Sequence, residues 1–409
     1  MSTATQTSAL AAEQIGTKRL AAVDILRGLT MVVMIFVNDL ASVRGLPWWN
    51  YHMRANVDFM TYVDMVFPFF LFVLGLSIPL AFRQRLQKGS VPKLWLHVFL
   101  RSLSLIVLGL ILANAEKGDR ARMGMNPNGW AILALSGAVL YLSVYKGSEN
   151  YSALHFWLRM FGLALTIAML AVFRRTASDG HAAWIDSSYP EILGLIGYTY
   201  LAVSILYIPT RRSAWGPCGW FLGLVLWNVF STAKRSAFMA HLPLYVWPWG
   251  NGAMASITMA GVVTSVICFV DHPGQTLRRK IFLALAFAMA ALVGGWLLAP
   301  LGISKIRATP TWSLYSIAAA VLLVAALYWI SDVDQHTAWA FFARPAGANT
   351  LLTYLLPDFY YFGIAWAGVS YFNRHLNAGW PGAVRSSVFT ALILAFAAFV
   401  TKLRVRLQL

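Results

Sequence analysis

The chain is predicted to be an all-α, polytopic integral membrane protein with eleven or twelve transmembrane helices, and three observations predict it. Hydrophobic residues make up 59% of its 409 residues and charged residues only 11%, whereas soluble domains carry about 25% charged residues. Mean hydropathy is +0.64. The apolar residues also fall into runs of the length a bilayer demands, about 20 residues, because a backbone deprived of water must pair its N–H and C=O groups within each segment. A soluble fold is excluded, and the short connections leave no room for a separate soluble domain.

The first run starts at Asp24 (DILRGLTMVVMIFVNDL) and gives way to a polar and aromatic stretch from Ser42 to Asp58. The second starts at Met60, carries Pro68 and Pro79, and stops at Arg83, Arg85 and Lys88. A third opens at Leu94 and ends in ANAEKGD. The fourth and fifth, from Gly129 and Leu154, flank the polar segment KGSENY, and the sixth, from Ile192, closes at Pro209 and Arg211. The seventh, from Ala214, contains Asn228, Ser231 and Thr232 and reads either as a span or as an interfacial helix, which is why the count is eleven or twelve. After it, AHLPLYVWPWGNG reads as an aromatic loop at the membrane surface, where Trp and Tyr concentrate. The last five runs start at Gly252, Ile281, Trp312, Ala348 and Val388, each bounded by Pro, Gly or charge.

The net charge of +17 arises from 32 Lys and Arg against 15 Asp and Glu. These cations stand in twos and threes at the ends of apolar runs, as in Arg278, Arg279 and Lys280, which is how membrane topology is written, so no nucleic-acid partner is expected and membrane lipid is. Counting Lys and Arg in short loops puts the N-terminus in the cytoplasm and Ser42 to Asp58 outside. Met1 to Thr17 lacks the basic start and apolar core of a secretory signal. Residues 1–20 are therefore expected to form a disordered cytoplasmic tail, and residues 21–409 a single transmembrane domain. Cys218 and Cys268 lie inside apolar stretches, so neither a disulfide nor a metal site is expected; no His, Asp and Glu set has ligand spacing.

Ionisable residues are costly in a bilayer and become functional candidates for that reason. They are densest in the first hairpin. Asp24 and Arg27, three residues apart, share a helix face and either serve function or fix the helix end as an ion pair. Asn38 either donates its amide to a carbonyl oxygen gaining charge or caps a helix. Asp64 precedes Pro68 by four residues, so the Asp64 carbonyl loses its helical donor and the helix kinks there. A carboxylate at such a notch either orients a histidine, as the third member of a triad does, or caps the broken turn. Among eight histidines, His52 lies in the loop facing this notch and reads either as the proton-transfer residue or as an interfacial ring.

At this hairpin the sequence resembles the transmembrane acetyltransferases typified by heparan-α-glucosaminide N-acetyltransferase and their bacterial relatives. Their Arg…Asp-x-x-Arg-Gly start is matched by Arg19, Asp24, Arg27 and Gly28, their first-helix Asn by Asn38, their loop His by His52, and their Thr-x-x-Asp-x-Val-Phe-Pro by Thr61, Asp64, Val66, Phe67 and Pro68. Similar features recur at Pro300 and Lys305 and at Gly347, Asn349 and Tyr354. The resemblance implies acetyl-CoA as donor, taken from the cytoplasm, with no metal, and an amino sugar or sugar hydroxyl, glucosamine-containing sugars among them, as acceptor on the other side of a bacterial inner membrane. For that chemistry the expected catalytic residues are His52, Asp64 and Asn38; Arg27, Lys93 and Arg101, by charge and predicted side, and Asn349 are the candidates for acetyl-CoA, and Asp58, Thr61 and Lys305 those for the acceptor. A homodimer is left open. The competing reading from the residues is a transporter or flippase for a sugar or lipid-linked substrate, without covalent chemistry.

Overall fold

A computed structural model describes residues 20–145, 152–213, 215–233, 250–270, 275–403 and 405–407. The predicted tail, but for Leu20, and most of the predicted aromatic loop lie outside these residues. The described residues form an all-α fold with twelve helices of 13 residues or more: α1 Ala21–Leu40, α2 Tyr62–Lys88, α3 Val91–Asn114, α4 Pro127–Leu142, α5 Ser152–Val172, α6 Glu191–Thr210, α7 Trp215–Ala233, α8 Ala253–Ser265, α9 Leu277–Leu297, α10 Pro310–Tyr328, α11 Thr350–Trp366 and α12 Gly379–Lys402. Each corresponds to one of the twelve apolar runs. Eight are long and apolar enough to cross a membrane, and α4 and α8 are shorter apolar helices. The chain is therefore a polytopic membrane protein.

One boundary differs from expectation by nine residues: α12 begins at Gly379 rather than Val388. Arg385, within the second turn of this helix, is mostly buried and paired with Asp39 at 2.9 Å. A neutralised arginine no longer marks a helix end.

The described residues group into two compact units. The first comprises residues up to Thr30, Tyr51–Val98 and Thr199–Phe341. Its centre is α8, in which every residue but Met254 is buried. Small side chains let α8 lie against α2, since a Cβ on Gly75 would collide with the Thr258 carbonyl and one on Gly261 with the Phe72 carbonyl. Close backbone approach replaces the hydrophobic drive that lipid removes from helix association. The start of α1 is fixed in the same unit by Asp332, whose carboxylate accepts the Ala21 and Ala22 N–H groups at 2.9 and 2.8 Å, an anion at the positive end of a helix.

The second unit comprises Met31–Asn50, Phe99–Tyr198 and Phe342 onward. Here α4 packs on α5, with the Trp130 indole donating to the Met169 carbonyl at 2.6 Å and its ring against Phe173. Asn114, at the end of α3, holds the loop before α6 through both the N–H and the C=O of Asp186. Two short antiparallel pairings also lie in this unit, a local one of Arg175–Thr176 with Ala182–Ala183 and a long-range one of Ser143–Val144 with Arg406–Leu407.

Candidate active site

The site in the first unit is built on the start of α2. Thr61 is its N-cap residue, and Asp64, three positions on, completes a capping box by accepting the Thr61 N–H at 3.1 Å, the reciprocal arrangement that satisfies orphan donors at a helix start. The same Oδ2 also accepts the Met53 N–H and the Thr61 hydroxyl, each at 3.3 Å. Its other oxygen faces His52, with Nδ1 at 2.8 Å. Asp64 is 1% exposed and His52 40% exposed. An ionised carboxylate only accepts, so Nδ1 carries the proton and Nε2 of the neutral ring carries the lone pair. One carboxylate thus makes both contacts offered for Asp64 by sequence, one oxygen on the helix start and the other on the imidazole.

The carbonyl that Pro68 leaves without a helical donor has a partner that sequence reading does not supply. The Asp64 carbonyl, which Pro68 cannot serve, accepts the indole N–H of Trp312 at 3.1 Å from the first turn of α10. Trp312 is 1% exposed. The carbonyl is thereby satisfied, and α2 is tied to α10 at the Asp64 turn.

Lys305 comes from the loop between α9 and α10. Its Nζ lies 3.3 Å from Nδ1 and 3.3 Å from Nε2 of His52. The two in-plane lone-pair directions of an imidazole diverge, so an ammonium equidistant from both nitrogens sits over the ring rather than in its plane, in the manner of a cation on an aromatic face. The in-plane direction at Nε2 is left for a reactant. Desolvation pushes the Lys305 ammonium down to about 8, against the opposing pull of Asp64.

That loop is held in an unusual shape. Ala308 adopts a left-handed φ of 49°, which costs a non-glycine residue of order 1–3 kcal/mol unless its surroundings enforce it. Two asparagine amides enforce it: Asn228 of α7 and Asn251 just before α8 donate to the Ala308 carbonyl at 3.0 and 2.8 Å. The polar Asn228 that made α7 ambiguous in sequence therefore anchors the Lys305 loop. Beside it, Arg307 makes a short ion pair with Asp58.

The structure thus brings together His52, Asp64, Thr61 and Lys305, with Asp58 engaged by the same loop. Arg27 and Lys93 lie elsewhere in the same unit. Arg27 pairs with Asp24 at 3.3 Å and donates to Ser77 at 2.7 Å, and Ser77 is thirteen residues beyond Asp64, about 20 Å along α2. Lys93 is exposed in the first turn of α3, beside the Gly89 end of α2. Asn38, Arg101 and Asn349 belong to the second unit. Asn38 lines a cavity there, and Arg101 is half-buried in α3. The Asn349 amide is occupied by the C-terminal segment: it donates to Thr401 and to the Val405 carbonyl and accepts the Leu407 N–H. Trp312, Arg307, Asn228 and Asn251 were not anticipated. Only Asn228, a polar residue inside an apolar run, carried a signal.

Comparison with known proteins gives two findings. The chain is 35% identical over 127 residues to heparan-alpha-glucosaminide N-acetyltransferase of Mus musculus and 33% identical over 127 residues to the protein of the same name from Homo sapiens, each match covering 31% of this chain and 18% of the relative. The matched region is thus less than a fifth of the length of these curated relatives. Residues 19–255, more than half of the chain, match the family model described as a domain of unknown function, DUF5009. That span contains the His52–Asp64 pair and the Thr61 cap beneath it, and the chain belongs to the DUF5009 family.

Proposed function

We propose that the protein is a membrane-embedded acetyltransferase that moves an acetyl group from cytoplasmic acetyl-CoA to an amino sugar or sugar hydroxyl on the opposite side of the membrane. The observation that carries this reading is the pair His52 and Asp64, which leaves the Nε2 lone pair of a correctly protonated imidazole directed away from its carboxylate. The likeness to two N-acetyltransferases supports the same class of chemistry.

In this reading Nε2 removes the proton from the acceptor amine or hydroxyl as that group attacks the thioester carbonyl. The new C–N or C–O bond forms, the C–S bond breaks, and the proton passes to the departing thiolate. Asp64 keeps the Nδ1 proton in place throughout. Lys305, a cation beside the ring, is suited to offset negative charge on the carbonyl oxygen, and Asn38 is retained from the sequence as a candidate amide donor for such an oxygen. The phosphates of the donor call for cytoplasmic cations, and Arg27, Lys93 and Arg101 are the candidates; Asn349 is a further candidate for the donor, and Asp58 and Thr61 are candidates for the acceptor. The N-terminus is cytoplasmic, the setting is a bacterial inner membrane, and residues 21–409 work as one acyltransferase domain, alone or as a homodimer.

The test is incubation of the purified protein in detergent with radiolabelled acetyl-CoA and a panel of amino sugars and sugars, wild type against His52→Ala. Label transferred by the wild type and lost in the variant is the expected result. Label appearing equally with both would leave the enzyme without this site, and no transfer combined with no retention of acetyl-CoA by the wild type would remove the acetyltransferase reading. Sugar flux into proteoliposomes that needs no acetyl-CoA would favour the transporter instead.

A further inference from the structure

The amine of Lys305 stands where an acyl group would meet it. Its Nζ lies 3.3 Å from Nε2 of His52, over the face of the ring. An acyl carbonyl lying in the ring plane at Nε2 presents its flat face to this nitrogen, and a carbonyl is attacked through that face. Reacting atoms in a near-attack arrangement stand about 3–3.5 Å apart, so an amine at this height needs little movement to reach such a carbon. A lysine is nucleophilic only as the neutral amine, and burial favours that form. Desolvation lowers the Lys305 ammonium to about 8 even against the pull of Asp64.

The loop that carries this lysine is closed on itself. The Ser304 N–H donates to the Thr309 hydroxyl at 3.0 Å, and the Ser304 hydroxyl accepts the Arg307 N–H at 3.2 Å. Asn228 and Asn251 hold its far end at the Ala308 carbonyl. At its near end Gly302 lies under the Asp58–Arg307 pair, and a Cβ there would meet both side chains. A nitrogen fixed in this way has already lost the freedom that a solvent-exposed lysine gives up on reaction. Lys88 and Lys93, by contrast, are exposed, and Lys117 is paired with Asp186 at 2.8 Å.

We infer that Lys305 is a self-acetylation site: with no acceptor present, its amine takes the acetyl group from an activated donor lying at His52 Nε2, and the amide formed switches the site off. The neutral Nζ attacks the donor carbonyl, a C–N bond forms, the bond from the carbonyl carbon to the leaving sulfur or oxygen breaks, and the proton released from Nζ passes to the leaving group. An amide does not return the acetyl group, and it carries no charge, so the cation beside the ring is lost. Acetyl transfer is thereby sustained only while an acceptor competes with the lysine. With acetyl-CoA as donor this inference rests on the function proposed above, whereas the reactivity of the lysine toward acetyl donors in general does not.

The full-length protein in detergent is incubated without acceptor, once with acetyl-CoA and once with p-nitrophenyl acetate, an aryl ester that needs no coenzyme site, and acetylation of each lysine is followed by peptide mass spectrometry. Lys305 should be acetylated at least tenfold faster than Lys88 and Lys93 with both donors. Sugar acetylation measured afterwards should fall in proportion to the fraction of Lys305 modified, while Lys305→Arg should lose none of its own rate after the same treatment. Labelling of Lys305 by the aryl ester no faster than that of Lys88 and Lys93 overturns the inference. So does an unmodified Lys305 in a preparation that transfers acetyl groups from acetyl-CoA to added sugars, or transfer undiminished by full modification of Lys305. Selective labelling by the aryl ester, with neither labelling nor sugar transfer from acetyl-CoA, would remove acetyl-CoA from the proposed function and leave the reactive lysine standing.

Discussion

Asp64→Asn changes one atom type in the centre of the candidate site and should disable it without unfolding the protein. In the wild type Oδ2 receives three donors, from Met53, Thr61 N–H and the Thr61 hydroxyl, and Oδ1 receives His52. An asparagine keeps the cap by turning its carbonyl toward the three donors, which directs its NH₂ at His52 Nδ1. Two donors cannot face each other, so the ring adopts the other tautomer, with the proton on Nε2 and the lone pair on Nδ1. The nitrogen needed as base has then become a donor. Loss of an orienting carboxylate through a wrong tautomer lowers kcat by about 10⁴ in the serine protease triad, and a fall of roughly 10³–10⁴ is expected here on the same grounds. The bonds to Oδ2 change from charge-assisted to neutral, which costs about 1–3 kcal/mol of stability. Acetyl transfer measured at saturating acetyl-CoA, with size-exclusion chromatography and thermal unfolding as controls, separates the two effects. A folded Asp64→Asn protein that keeps kcat within threefold of the wild type would refute the role given to the carboxylate.

Three further outcomes follow from the same geometry. Trp312→Phe should cost about 1–3 kcal/mol by stranding the buried Asp64 carbonyl, and less in a Pro68→Ala background, where a backbone N–H is restored to that carbonyl; strictly additive losses in thermal or denaturant unfolding would contradict the proposed partnership. Lys305 has a folded value near 8, below its ordinary one, so its positive charge is present below pH 8 and lost above it; the alkaline limb of the rate profile should therefore lie near pH 8 in the wild type and move higher in Lys305→Arg, whose charge persists, and an unmoved limb would acquit Lys305. Gly75→Ala should destabilise by about 1–3 kcal/mol or more, because the added methyl meets the Thr258 carbonyl in a packed interface, whereas Gly223→Ala, facing open space on α7, should be neutral or slightly stabilising in the same melt.

Much of the site was legible because its inner parts are local. Thr61 and Asp64 are three residues apart, the spacing of a capping box, and Pro68 stands four residues beyond Asp64, so the freed carbonyl follows from helix geometry without coordinates. His52 lies twelve residues from its carboxylate, near enough for the loop between them to be read as one unit. The remaining parts are remote. Lys305 is 253 residues from His52 and Trp312 is 248 from Asp64; the first came from a family resemblance and the second from nothing in the sequence. Asn349, matched by resemblance, has its amide engaged by the C-terminal segment, a long-range contact that no local pattern announces.

The amino-acid sequence by itself determined that the chain is a bundle of apolar helices, roughly where each begins, and that the first hairpin holds an unusual density of polar groups. Hydropathy and helix period are properties of contiguous residues, and a bilayer enforces them segment by segment. Only the tertiary structure decided what these polar groups hold: that Asn228 and Asn251 clamp the strained Ala308 in the Lys305 loop, and that Asp39 neutralises Arg385 within α12, which starts nine residues early. In lipid, helices choose one another by close packing and hydrogen bonding rather than by burying apolar surface. Those choices join residues hundreds of positions apart, and no local pattern encodes them.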